Sequence, residues 1–325
     1  MSSHPSDLQW RRLSADSVPD WTALLNHLAV ADGTEEFVNE PDLLESLSAP
    51  HHDPELDTWG VWDGAQMVAW GATIVPLAPD HEGQARGYVN AGVHADHRGR
   101  GIGTEITSRL EARAQELMAQ RLPDTAGYLS AGGGLDGSDS RKFLTERGYA
   151  VVRYFNLLAR PLSKEQVIEV PEIQGVELVT PGPEHEMDVH AAHVAAFRDH
   201  WGSGPTSPEN WHQNWHASSA RPATSTLAIA RGGEHDGQVL AYVLTGQWVD
   251  RESYINLVGT VPHARGRGLA AAALARTIEL ATQAGEYDVI ELDVDSESPT
   301  GATRLYERLG FTLKHRSAAM RRPLP

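Results

Sequence analysis

Apolar residues recur at helical spacing in two stretches of the chain, each directly after a strand-like run. Ile102, Ile106, Leu110 and Leu117 fall on one face of a helix, and Leu269, Ala273, Ile278 and Ala281 do the same before Gly285 supplies a stop. The strand-like runs are Tyr88–Val93 and Tyr254–Val261. Upstream of the first, Trp59–Trp70 reads as a hairpin turning at Asp63-Gly64; its counterpart is Leu227–Arg231, a loop through Gly237, then Val239–Leu244. Downstream, Arg141–Tyr149 and Arg304–Phe311 each read as a short helix ended by glycine and followed by a strand.

The same elements therefore occur twice in the same order, and the offset from Arg98 to Arg265 nearly equals that from Gly148 to Gly310. A duplicated α/β domain explains this most simply. The 325-residue length suits two domains, with the polar stretch Arg160–Gly175, punctuated by Pro161 and Pro171, as the linker. The expected domains are 1–162 and 172–325.

The 27 Lys and Arg against 44 Asp and Glu give a net charge of −17, which repels polyphosphate and excludes nonspecific nucleic-acid binding. With no cysteine there is no disulfide, thiolate metal site or cysteine nucleophile. The first ten residues lack the basic stretch and apolar core of a signal peptide, and the most apolar run, Leu269–Ala275, is too short to span a bilayer. The expectation is a cytoplasmic protein with no membrane partner.

The joint between each strand and helix carries the candidate chemistry. Val93–Gly103 reads VHADHRGRGIG and Thr260–Ala270 reads TVPHARGRGLA. The first-turn N–H groups of a helix have no helical partner, and the macrodipole adds partial positive charge there. Glycines let an oxygen approach the backbone, and arginines add charge, so a diphosphate is the natural ligand. The same glycines could serve only a turn; two copies in matching contexts favour the phosphate. There is no P-loop, and the glycine spacing is not that of a dinucleotide-binding fold.

Arg98-x-x-Gly-x-Gly103 and Arg265-x-x-Gly-x-Ala270 resemble the acetyl-CoA pyrophosphate motif of the GNAT N-acetyltransferases, and Leu292–Phe311 resembles the family's later motif. The tandem arrangement is similar to the mycothiol-synthase type. The resemblance implies an α/β fold: two tandem GNAT-like domains, each a mixed, mostly antiparallel sheet flanked by helices, with strands four and five splayed to admit acetyl-CoA as co-substrate. In the C-terminal domain it places the cofactor on Val258, Gly259, Thr260, Val261, Arg265, Gly266, Arg267, Gly268, Leu269, Ala270 and Ala271, with Ser298 at a further contact position. The Val261 N–H becomes the donor to the thioester carbonyl and Tyr306 the acid for the leaving thiolate. In the N-terminal copy the matching cofactor positions are Gly92, Val93, Arg98, Gly99, Arg100, Gly101, Ile102 and Gly103. There Tyr306 is matched by Leu144 and Tyr254 by Gly87, so the copy reads as degenerate.

On the residues themselves, Ser298 and Pro299 suit the cap and first position of a helix whose apolar stripe is Ala302, Leu305 and Leu309, and Tyr306 could belong to that stripe. The family position of the general base holds Tyr254, and tyrosine, with a pKa of about 10, is a poor base. Asn256 is no base either, which leaves Asp250, Glu252, Asp295 and His200 as candidates. Asp199, His200, Trp201 and Trp248 are expected to contact the substrate; Trp211 and Trp215 would serve a pocket or a core. His212 and His216 stand four apart, a helical metal-ligand spacing, but no acid follows in the zincin pattern, so no metal is expected. The reading is acetyl transfer to the primary amine of a small molecule by direct attack in a ternary complex, in a monomer or homodimer. The alternatives are a protein or peptide N-acetyltransferase and a noncatalytic acyl-CoA-binding protein.

Overall fold

A computed structural model describes residues 8–166, 168–198, 200–298 and 301–324. The first repeat runs β1 (Leu8–Arg11), α1 (Val18–Ala31), α2 (Glu40–Leu47), α3 (Pro54–Asp57), β2 (Thr58–Asp63), β3 (Gln66–Ile74), β4 (Ala85–Val93), α4 (Ile102–Arg121), β5 (Gly127–Leu135), α5 (Asp139–Glu146) and β6 (Ala150–Pro161). The second runs β7 (Val176–Val179), α6 (Glu186–Ala196), α7 (Pro208–Trp215), β8 (Thr226–Ala230), β9 (Val239–Gly246), β10 (Glu252–Thr260), α8 (Leu269–Ala284), β11 (Val289–Asp295), α9 (Ala302–Arg308) and β12 (Thr312–Pro323). The Asp63-Gly64 hairpin and both amphipathic helices form where the pattern predicts them. No helix among the described residues is long and apolar enough to cross a membrane.

The compact units are not the two halves of the sequence. One comprises the residues up to Tyr154 together with Ser317 and those after it; the other is Phe155–Arg316. In the first unit β1 to β5 lie side by side in chain order, and the sheet is completed by the end of β12, where Ser317 through Pro323 pair antiparallel with β5. In the second, β7 to β11 follow the same order, and the closing strand is the end of β6, where Phe155 through Pro161 pair antiparallel with β11. The terminal strands are thus exchanged between units, and a boundary at 162–172 describes the repeats rather than the units. Either strand satisfies the same ladder, so their sequences do not reveal which edge each one joins.

Each unit has its core beneath its long helix. Ile102, Ile106, Leu110, Ala114 and Leu117 of α4 are buried with Val68, Val89 and Leu129. Ala273, Leu274, Ile278 and Ala281 of α8 are buried with Val243, Ile255, Ile290 and Leu292. Burying each leucine or isoleucine contributes about 2 kcal/mol, and this is what holds the strand-to-helix joints in place. α8 begins after Gly268 and ends at Gly285, both left-handed.

Candidate active site

Among the described residues β7–β8, β8–β9, β9–β10 and β11–β6 pair antiparallel. β10 and β11 run parallel and pair at only three positions, Glu252↔Val289, Ser253↔Ile290 and Tyr254↔Glu291. β10 continues to Thr260 and β11 to Asp295, so beyond Tyr254 they stand apart and leave β10 backbone groups without a ladder on that side. The register between β10 and β9 shifts between Ile255 and Leu257, a bulge at Asn256.

Alternation along β10 decides which amides face the opening. The Val261 N–H donates to the Leu240 carbonyl at 2.9 Å and so points to β9. Val261 therefore does not supply the thioester donor expected of it. Period two turns the N–H groups of Val258 and Thr260 the other way, into the splay. Gly259 lies between them because a Cβ there would come within 2.4 Å of the buried Tyr242 ring.

Beyond the strand, Gly266 and Gly268 adopt φ of +78° and +79°, and a Cβ on Gly266 would meet no atom within 4 Å. The first helical bond of α8 runs from the Ala272 N–H to the Gly268 carbonyl, which leaves the amides of Leu269, Ala270 and Ala271 without helical partners. This open, donor-rich turn fits a phosphate. Arg265 does not extend into it: its guanidinium donates to the Ala196 carbonyl at 2.9 Å and its Nε to the Thr260 carbonyl at 3.4 Å. It braces the loop, while Arg267 is exposed. Ser298 does not cap the following helix either. Gly301, left-handed at φ +70°, stands at the N-cap of α9, and Ser298 sits in the turn before it, its N–H donating to the Asp295 carbonyl. Pro299, like Asp199, lies outside the described residues.

Tyr306 is buried in the core under α8 and α9, edge-on to Phe311 at 5.9 Å between ring centroids. Desolvation pushes its hydroxyl up to about 12, so it is a protonated donor across the neutral range. On β11, Leu292 and Val294 enter this core, so Glu291, Asp293 and Asp295 take the opposite face. Glu291 accepts from Lys314 Nζ at 2.8 Å, and Asp295 Oδ1 accepts from the Glu297 N–H at 2.9 Å. Asp293 Oδ2 accepts from the Tyr254 hydroxyl at 2.8 Å, and Trp248 packs edge-on against Tyr254 at 5.6 Å. The structure thus joins Tyr254, with Trp248 on its ring, to a carboxylate absent from the base candidates. The polar alternation Glu-x-Asp-x-Asp was the available signal. Of those candidates, Asp250 and His200 are exposed, Glu252 is half-buried and Asp295 is buried.

The flanking helices form a second layer against β9 and β10. His193 Nδ1 lies 2.8 Å from the Tyr242 hydroxyl, which is the ring that crowds Gly259. Desolvation lowers His193 to about 4 and raises Tyr242, so both are neutral at physiological pH. Trp211 is core rather than pocket wall: it is 3% exposed, lies against His193 and donates from Nε1 to the Glu186 carbonyl. His200 stacks on Phe197 at 5.1 Å, and its Nδ1 lies 3.1 Å from the Trp201 carbonyl, in the exposed turn after Ala196.

The first unit repeats much of this. β4 and β5 pair in parallel only from Ala85↔Gly127 to Tyr88↔Ser130 before separating. The His94 N–H donates to Val68, as Val261 does to Leu240, so Val93 and Ala91 face the splay. Gly99 and Gly101 are left-handed ahead of α4, with nothing within 4 Å of a Cβ on either. Arg98 is bound to the Val93 carbonyl at 3.1 Å and to Asp32 at 2.8 Å, and Arg100 lies 3.6 Å from Asp63. A cavity of about 690 Å³ opens here, lined by Gly92, Val93, Arg98, Gly101, Gly103 and Ser138 among others. Leu144, in the place of Tyr306, is buried in the core.

The acetyltransferase (GNAT) family model matches residues 16–127 and 187–311, one region in each repeat. A mycothiol acetyltransferase of Tsukamurella paurometabola is 28% identical over 264 residues, 79% of this chain and 84% of that protein. Among solved structures, a GCN5-related N-acetyltransferase from Sphaerobacter thermophilus superposes with a TM-score of 0.74 at 24% identity, over 99% of this chain and 97% of that one. A tandem GNAT protein from the clavulanic acid biosynthesis pathway gives 0.67 at 20% identity, over 97% and 98%. At these identities the two structures carry the fold alone.

Proposed function

The chain belongs to the acetyltransferase (GNAT) family of acyltransferases, and from that premise we propose that its second unit transfers acetyl from acetyl-CoA to the primary amine of a small molecule in a ternary complex. The observation that carries this reading is the parallel ladder that stops at Tyr254↔Glu291 and opens directly ahead of the turn at Gly266 and Gly268. That opening offers amides for a thioester carbonyl and a pantetheine arm, and the turn offers amides for a diphosphate.

Acetyl-CoA supplies an activated acyl carbon. The Val258 and Thr260 amides stabilise the oxyanion that develops on its carbonyl, and the amides of Leu269, Ala270 and Ala271 hold the pyrophosphate. The ammonium first passes one proton through a carboxylate to solvent. The neutral nitrogen then forms the new C–N bond as the C–S bond breaks, the leaving sulfur takes the Tyr306 proton, and the second nitrogen proton restores Tyr306 by way of solvent. Asp293 holds that carboxylate position through its contact with Tyr254. The exposed Asp293 carboxylate, held by Tyr254 on whose ring Trp248 packs, favours a cationic amine. Relatives named mycothiol acetyltransferase, which span most of this chain, support a small-molecule acceptor over a peptide.

The test is amine-dependent release of free thiol from acetyl-CoA, run against a panel of small cationic amines and a panel of basic peptides. Turnover with a small amine is expected. Turnover with peptides alone would move the acceptor to proteins, and acetyl-CoA binding without turnover on any amine would leave a noncatalytic binder.

A further inference from the structure

Three side chains outside the proposed chemistry converge on the exposed side of α6 and α7. His212 and His216 lie one turn apart at the end of α7, and Glu186 opens α6. Glu186 Oε1 is 2.8 Å from His212 Nδ1, and Oε2 is 3.1 Å from His216 Nε2. The acid missing from the local sequence is therefore supplied from a neighbouring helix, and all three ligand atoms lie within 4.8 Å of one another.

We propose that Glu186, His212 and His216 bind a divalent transition-metal ion of the zinc class and tie the start of α6 to α7. Two imidazoles and one carboxylate suit that ion, with one position left for water. Ligand atoms around tetrahedral zinc stand about 3.3 Å apart, so the 2.8 Å gap between Glu186 Oε1 and His212 Nδ1 opens slightly while the ligand atoms, now within 4.8 Å of one another, draw onto one carboxylate oxygen. Side chains can provide that movement here, because His212 and His216 are 67% and 49% exposed. The backbone beneath is already fixed by the Trp211 Nε1 hydrogen bond to the Glu186 carbonyl. Desolvation raises the Glu186 carboxyl, but hydrogen bonds with His212 and His216 outweigh it and hold it below the usual carboxylate range. The ion would replace those hydrogen bonds, with each imidazole keeping its proton on the other ring nitrogen.

The site is tested on the full chain, stripped with chelator and desalted, then titrated with ZnCl₂ in a calorimeter and with CoCl₂ in a spectrophotometer. The expected result is one Zn²⁺ per chain at micromolar or tighter affinity, a visible Co²⁺ absorption of tetrahedral intensity, and a rise in the thermal midpoint with Zn²⁺. Glu186→Gln and His216→Gln should each weaken Zn²⁺ by about tenfold or more, His212→Gln/His216→Gln should abolish the Co²⁺ band, and acetyl-CoA binding should stay unchanged as the check on folding. Wild-type binding weaker than millimolar overturns the site. So does tight binding that survives the double variant, since the chain's 16 histidines offer other positions.

Discussion

The two units keep the same strand-to-helix joint and differ in what surrounds it. In the second, β10 bulges at Asn256, a tyrosine is buried at 306 and a carboxylate meets Tyr254 across the opening. In the first, β3 and β4 pair from Ala69↔Val93 to Ile74↔Tyr88 without a shift, Leu144 fills the tyrosine's place and Gly87 that of Tyr254. The first unit nonetheless keeps a cavity of about 690 Å³ at this joint. Holding a phosphate needs only backbone amides and space, so a copy can keep the shape of a ligand site after losing its proton-transfer groups. Room for a ligand and capacity for chemistry are separate properties.

The largest effect expected is from Gly268→Asp. A carboxylate at the start of α8 repels the diphosphate and forces a side chain into a left-handed position. Steady-state kcat/KM for acetyl-CoA should fall about 10³-fold, whereas Gly101→Asp should leave it within about twofold and remove any second binding event from calorimetry. The reverse pattern would place the chemistry in the first unit.

A pH dependence separates the units next. His193 is neutral when folded down to about 4, whereas an unfolded histidine takes its proton near 6.5. The unfolded chain then binds more protons between these values, so the stabilisation is complete above pH 6.5 and is lost as pH falls through 4. That amounts to as much as about 3 kcal/mol, read as a falling midpoint of chemical denaturation. His193→Gln should flatten the slope; an equal slope in that variant would mean that other groups carry it.

Tyr306→Phe tests the same contrast in kinetics. It should lower kcat about 10²-fold with acetyl-CoA affinity unchanged, while Leu144→Phe alters neither. Unchanged turnover in Tyr306→Phe would make the tyrosine a core residue like its counterpart.

The features that were legible in the sequence are local ones. Helical periodicity, the Asp63-Gly64 turn and the paired glycine loops each depend on neighbours in the chain, and they formed as predicted. The misses depend on partners far away in sequence or on single backbone angles. Nothing in Tyr254–Val261 announces a bulge or fixes which amides face β9, so the donor was expected at Val261, one residue past Thr260, whose amide faces the splay. Ser298 lost the cap because Gly301 adopts the left-handed conformation nearer the helix. Arg265 looked like a phosphate ligand because its carbonyl partner Ala196 is remote in sequence. The acid for His212 and His216 lay on another helix, and the exchanged strands are interchangeable in hydrogen bonding.

The smallest difference concerns Gly92 and Gly259, which occupy matching places beside the splayed residues. A Cβ on Gly259 would lie 2.4 Å from three atoms of the Tyr242 ring, which is fully buried and fixed by His193. A Cβ on Gly92 would meet the end of Leu28 at 2.5 Å and Trp70 Nε1 at 2.8 Å. Leu28 is only partly buried and its methyl can rotate aside, although Trp70 limits the relief. Gly259→Ala should therefore cost about 3 kcal/mol in chemical denaturation and Gly92→Ala about 1 to 2 kcal/mol. Tyr242→Leu, which removes the ring, should restore part of the Gly259→Ala loss in a double-mutant cycle and none of the Gly92→Ala loss. Equal costs at the two glycines, with no coupling to Tyr242, would show that both backbones give way alike and that the His193–Tyr242 layer does not make the second site stiffer than the first.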